Sequence, residues 1–241
     1  MKLISGFLIA VVVGLGLFSC FDPPEYPLTP EIEYQNLVFV DVPDASEPDS
    51  LLLFIKFRDG DGNLGLQPNE TGCYLAGGDT ICFNEKNYFF SLQDGHYLNY
   101  EDKRTNPNLA DLPDYVKPFD CINWEIVYDN ASQPQDTLYF ELNENHYNIF
   151  VDFLVKQPDG TFEEFDWREE FCTTYDGRFP ILAKEKDLSK ATPLEGTLRY
   201  AMLSTGFKFQ FSIKTLKLRV QIQDRLLNKS NVIETPEFQF K

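Results

Sequence analysis

The clearest periodicity lies near the C-terminus. Leu216, Leu218, Val220 and Ile222 alternate with Lys217, Arg219, Gln221 and Gln223. A period of two predicts a strand with one buried and one solvated face. Asp224 to Asn231 reads as a turn, and Val232-Ile233 begins a last strand that continues in the alternation of Phe238 and Phe240. Pro236 has no N–H to give and predicts an edge position or a break. Towards the other end, Glu31 to Val42 predicts a first strand with Leu37, Phe39 and Val42 apolar. After a polar turn, Leu51 to Phe57 is almost wholly apolar and runs into a glycine-rich loop, Asp59 to Gly65. That pattern predicts a second strand buried on both faces.

The middle is less regular. Asn87–Leu92, Ile122–Tyr128, Thr137–Leu142 and Tyr147–Lys156 read as strands, and Pro158-Asp159-Gly160 as a tight hairpin turn. Thr197–Leu203 and Phe207–Lys214 read as two more strands. Asn99 to Pro118 carries three prolines and reads as loop. No helix longer than two turns and no internal repeat is evident. The expected class is all-β.

Composition narrows this further. The 241 residues suit one large β domain or two small ones. Phe and Tyr number 22 and 12, and both favour strands. The net charge of −17 repels phosphate backbones, so nucleic acid is not an expected partner, and it disfavours adhesion to anionic lipid. It is compatible with divalent cations.

At the N-terminus, Met1-Lys2 precedes an apolar run from Leu3 to Phe18, shorter than the roughly 20 residues of a spanning helix. The run ends in Leu17-Phe18-Ser19-Cys20, which resembles the lipobox of bacterial lipoproteins, with Phe18 departing from the usual small residue. The resemblance implies a signal peptide over 1–19, cleavage before Cys20, and a lipid anchor on that cysteine. Without residues 1–19, which contain only Lys2 as a charged residue, the net charge becomes −18. Residues 20–30, rich in proline, read as a tether. Asp22 and Glu25 loosely resemble the acidic signals that send lipoproteins of Bacteroidota to the cell surface. Export favours disulfides, and Cys73, Cys82, Cys121 and Cys172 form an even set with three pairings open. A turn signal, Gly77-Gly78, favours Cys73–Cys82 and hence Cys121–Cys172. With no C-x-x-C and only His96 and His146 as histidines, a zinc site is a poor alternative.

The stretch Val220 to Asn231 resembles the last hairpin of bacterial immunoglobulin-like or fibronectin-III-like domains. With Phe57 to Gly65 it resembles a group of Bacteroidota outer-membrane or surface lipoproteins. The resemblance implies an Ig-like β-sandwich over 31–241 with a long β-rich insertion at about 73–195, and no particular activity. Asp49-Ser50-Leu51, Asp79-Thr80-Ile81 and Asp136-Thr137-Leu138 resemble the O-glycosylation acceptor of that phylum, at Ser50, Thr80 and Thr137.

One motif could carry chemistry. Asp59, Asp61, Asn63 and Glu70 occupy positions 1, 3, 5 and 12 of a calcium loop, with Gln67 at position 9. Alternate carboxylates on a tight turn can aim oxygens at one centre. Position 6, where glycine makes the turn, is Leu64, and a strand precedes the loop, so this is no standard EF-hand. A strand-borne calcium loop and a solvated Asp-Gly turn both remain open. In an Ig-like sandwich the second and penultimate strands run the same way, which would put Asp224 and Asn228 beside Asp59, Asp61 and Asn63. Calcium, in a structural role, or Arg225 would then compensate the carboxylates. His96 and His146 read as structural, and Trp124 and Trp167 as core rather than sugar-stacking residues. With no nucleophile elbow, P-loop or dinucleotide motif, an enzyme is not expected. The expected function is a lipid-anchored outer-membrane or surface lipoprotein, a non-enzymatic binding or accessory subunit of an envelope protein complex. A glycan-binding lipoprotein of a polysaccharide-uptake system is the alternative; a secreted hydrolase comes third.

Overall fold

The computed structural model describes residues 24–43, 47–76, 78–115, 121–183, 191–204 and 206–240. The expected signal peptide, Cys20 and Asp22 lie outside the described residues. The fold is all-β, in several antiparallel sheets. No helix among the described residues is long and apolar enough to cross a membrane.

Two sheets form the main β-sandwich. The first has the order β1 (Glu31–Val40), β2 (Asp49–Asp59), β12 (Leu194–Ser204). The second has the order β11 (Phe162–Phe165), β10 (Ile149–Lys156), β13 (Leu216–Ile222), β14 (Ile233–Glu234). Their inner faces meet in one core, built from Leu51, Leu53 and Ile55 on one side and from Val151, Phe153, Leu218 and Val220 on the other. The strand over 216–222 follows its expected alternation, with every apolar residue buried.

β2 is not buried on both faces. Leu51, Leu53, Ile55 and Phe57 face the core, whereas Leu52 and Phe54 are half-buried on the outer face. The segment after β12 also differs from expectation. Phe207–Phe211 is a short helix, α3, rather than a strand. A helix puts residues four apart on one face, so Phe207 and Phe211 are fully buried, while Phe209 is 91% and Ile213 90% exposed. The expected strand over 87–92 is broken into β5 (Lys86–Tyr88) and β6 (Phe90–Ser91), which pair with different partners.

The long insertion falls between β2 and β10. It holds the β3–β4 hairpin (Cys73–Ala76 and Asp79–Cys82), the sheet β5-β9-β8 with β8 at Trp124–Tyr128 and β9 at Pro134–Leu142, and the β6–β7 hairpin, β7 being His96–Tyr97. Helix α1, Tyr100–Thr105, sits where loop was expected. Asn99 and Asp102 cap its start reciprocally. The stretch 73–195 is not all elaboration: residues 149–165 within it form β10 and β11 of the main sandwich. Trp124 is buried in the insertion's own cluster with Leu98 and Tyr139, and Trp167, which opens α2 (Trp167–Phe171), is buried in the main core.

Both expected disulfides form. Cys73–Cys82 joins directly opposed residues of the β3–β4 hairpin. Cys121–Cys172 ties the insertion to the residue that follows α2.

Candidate metal centre at the Asp59–Asp224 pole

Inward alternation along β2 ends on Asp59, which therefore points its carboxylate into the end of the core. Asp224 lies just beyond β13. The two are 0% and 3% exposed, and one oxygen each from Asp59, Asp61 and Asp224 lie within 4.8 Å of one another. The two distal loops thus share a pole, as the sandwich geometry predicts.

The loop between Asp59 and Asn63 is tight because the surrounding backbone leaves no room. A Cβ on Gly60 would stand 2.4 Å from the Tyr26 carbonyl, and one on Gly62, whose φ is +68°, would stand 2.3 Å from that of Thr192. Gly60 N donates to Pro27 O at 2.8 Å, and Thr192 N to Asp61 O at 3.2 Å. The carboxylates therefore sit where the N-terminal segment, the end of β2 and the approach to β12 converge.

Local donors hold part of the cluster. Asn63 N donates to Asp59 Oδ2 at 3.1 Å and to Asp61 Oδ1 at 3.3 Å, and Asn63 Nδ2 donates to Asp61 Oδ2 at 3.0 Å. Leu226 N and Asn228 N both donate to Asp224 Oδ1 at 2.8 Å, and Asn228 Nδ2 to Oδ2 at 2.7 Å. Asp59 Oδ1 and Asn63 Oδ1 are buried and accept nothing. Burial, and then the negative charge of Asp61 and Asp224, push the Asp59 carboxyl up to about 7. Burial raises Asp224 as well, against the Asn228 donors.

Glu70, expected at position 12, is not in this cluster. Its carboxylate accepts both arms of the Arg225 fork, at 2.9 and 2.6 Å, and the Gln67 N–H at 3.1 Å. The Arg225 bond holds its pKa below the ordinary value. The spacing misleads because the loop after Leu64 does not curl back as an EF-hand does. Gly65, at φ +104°, packs instead against the Pro180–Ile181 backbone. Arg225 likewise does not compensate the aspartates, since its charge is committed to Glu70.

A further residue was not foreseen. Arg178 donates to the carbonyls of His146, Gln67, Glu70 and Phe83, pinning the 67–70 loop to the insertion. Such a role has no sequence signature, because four of its partners are backbone carbonyls and the one side chain, His146, is 32 residues away. His146 joins that network through Phe83 O and Arg178, while His96 pairs with Asp102 at 3.0 Å. Of the three glycosylation-like sites, Thr80 is exposed and Ser50 and Thr137 are half-buried.

The insertion carries a separate feature. Phe89 and Phe90 stand half-exposed beside a groove of about 590 Å³ that Asp94 and Asn106 also line. No family model matches the chain, and no curated protein or solved structure matches it.

Proposed function

We infer that the protein is an exported lipoprotein, anchored at the outer membrane or cell surface by lipid on Cys20. It serves as a non-enzymatic binding subunit of an envelope protein complex. Strand order supports an Ig-like sandwich: in order across each sheet, β1-β2-β12 and β11-β10-β13-β14 correspond to A-B-E and C′-C-F-G of a fibronectin-III-like domain. Of the three carboxylates that lie together, Asp59 and Asp224 are buried at a pole of this sandwich.

The observation that carries the binding role is the open face of β1-β2-β12. Val38, Leu52 and Ala201 lie side by side across the three strands, and Val40 and Leu203 flank Ser50 in the next row. Leu203 is 58% exposed. Charge lies along the rest of the face, at Glu31, Glu33, Lys56, Arg58 and Glu195, and reaches the row beside Leu52 at Arg199, which pairs with Phe54. Contiguous exposed apolar patches of this kind mark interaction sites. A photo-crosslinking residue at position 203, in intact cells, should capture one discrete protein, and the same residue at Thr197 should not. No adduct, or equal adducts, would refute the assignment. Separately, Cys20→Ala should leave the protein uncleaved or release it from membranes; normal processing with retention would refute the anchor.

The groove beside Phe89 and Phe90 favours a second reading, glycan binding, because aromatic faces next to hydrogen-bonding groups can stack sugar rings. Titration with neutral oligosaccharides should give heat that Phe90→Ala abolishes. An absence of heat across a panel would eliminate it.

A further inference from the structure

We propose that Asp59, Asp61, Asn63 and Asp224 form a calcium site that fastens the tether-proximal pole of the sandwich. Three carboxylates, two from the loop after β2 and one from the turn after β13, bring an oxygen each within 4.8 Å of the others. The neighbouring cation, Arg225, is bound to Glu70. Like charges so placed, two of them on buried residues, require a compensating positive charge or a proton.

The second observation concerns the unused oxygens. Asp59 is fully buried, its Oδ2 accepts from Asn63 N, and its Oδ1 has no donor. Asn63 Oδ1 is also buried without a donor. Buried acceptors are almost always satisfied. A carboxylate oxygen and an amide oxygen lacking donors, beside two more carboxylates, are what a hard cation coordinates. Every available donor atom is oxygen, with no thiolate or imidazole in the cluster, which disfavours zinc. The oxygens come from irregular loops, which suits the larger and geometrically tolerant Ca²⁺ better than Mg²⁺. The ion would join the end of β2 to the turn after β13. Through Gly60–Pro27 and Asp61–Thr192, it would also hold the N-terminal segment and the approach to β12.

The competing account is a proton on Asp59 and no metal. Thermal unfolding and isothermal titration of the full chain, first stripped with chelator, separate the two. Calcium chloride alone should bind at one ion per chain. At about a hundredfold excess over Kd it should raise Tm by roughly 5–10 °C, and magnesium at the same concentration should do much less. Asp59→Asn keeps the shape, removes the charge, and should abolish both binding and the Tm shift. Asp61→Asn, on the half-exposed loop, should weaken binding and provides the same readout if Asp59→Asn does not fold. Asp79→Asn, on the β3–β4 hairpin, should change nothing. Absence of calcium binding at millimolar concentration would overturn the proposal in favour of the proton. A calcium shift that survives both Asp59→Asn and Asp61→Asn would place the ion elsewhere and overturn it equally.

Discussion

Raising the pH of the calcium-free protein from about 4 to about 8 should destabilise it, and the loss should be traceable to Asp59. The folded protein holds this carboxyl at about 7, against an ordinary value of 3.8. A group whose pKa is raised on folding contributes stability that is complete below its unfolded value and is lost as the pH climbs through the folded one. About three pH units at 1.36 kcal/mol each give roughly 4 kcal/mol. Asp61 is half-exposed, so water screens one side of the cluster and the expected loss is about 2–4 kcal/mol. Against a typical domain stability of about 5–15 kcal/mol that is a large fraction. Asp61 and Asp224 are the charged groups facing Asp59, and carboxylates so close titrate as a set, so the decline should spread over the window rather than break at one pH.

The assay is urea unfolding followed by circular dichroism, at pH steps, in chelator. Other groups also titrate. Burial lowers His146, whose contribution runs the opposite way and grows as the pH rises towards 6.5. Burial raises Asp152, which has the same sign as Asp59. Both are present in Asp59→Asn, so the difference between parent and variant isolates Asp59. The parent should lose about 2–4 kcal/mol relative to the variant between pH about 4 and about 8. Saturating calcium should remove most of that loss from the parent alone. Parallel stability curves for the two proteins in chelator would refute the reasoning.

Three further outcomes are expected. Replacing Cys121 and Cys172 by serine, 51 residues apart, should cost about 4 kcal/mol, and replacing Cys73 and Cys82, 9 apart, about 2.5 kcal/mol; denaturant titration of the two double variants checks the order. Arg225→Ala should cost about 1–2 kcal/mol through the stranded Glu70 carboxylate yet leave calcium affinity unchanged, as should Glu70→Gln; a lost calcium isotherm in either would restore the EF-hand-like ligand set. Phe211→Ala should cost about 3–5 kcal/mol and Phe209→Ala almost nothing; equal losses in urea titration would mean that 207–211 is a strand after all.

What the sequence revealed, and what it hid, follows from the range of the forces involved. β13 was legible because alternation is a local consequence of one buried face, and Leu216 to Ile222 obey it without exception. Phe207, Phe209 and Phe211 alternate just as well, but residues 207 and 211 are also four apart. A period of two cannot be told from one face of a short helix over five residues. The packing of Phe207 and Phe211 against Phe153 and Phe240 breaks that tie, and those partners are distant in sequence. The same distinction divides the acidic residues. Asp59 and Asp224 could be brought together on paper because strand direction in a sandwich is a topological rule, independent of loop detail. The expectation for Glu70 rests on its spacing along a loop, and spacing fixes position only where the loop's curvature is known. In this chain Arg225 lies close enough to take Glu70 in both arms of its fork, and that contact spans 155 residues. The pairing also bears on the cluster it leaves behind. By drawing Arg225 to Glu70, it commits the cation that directly follows Asp224 in the chain to a carboxylate outside the cluster.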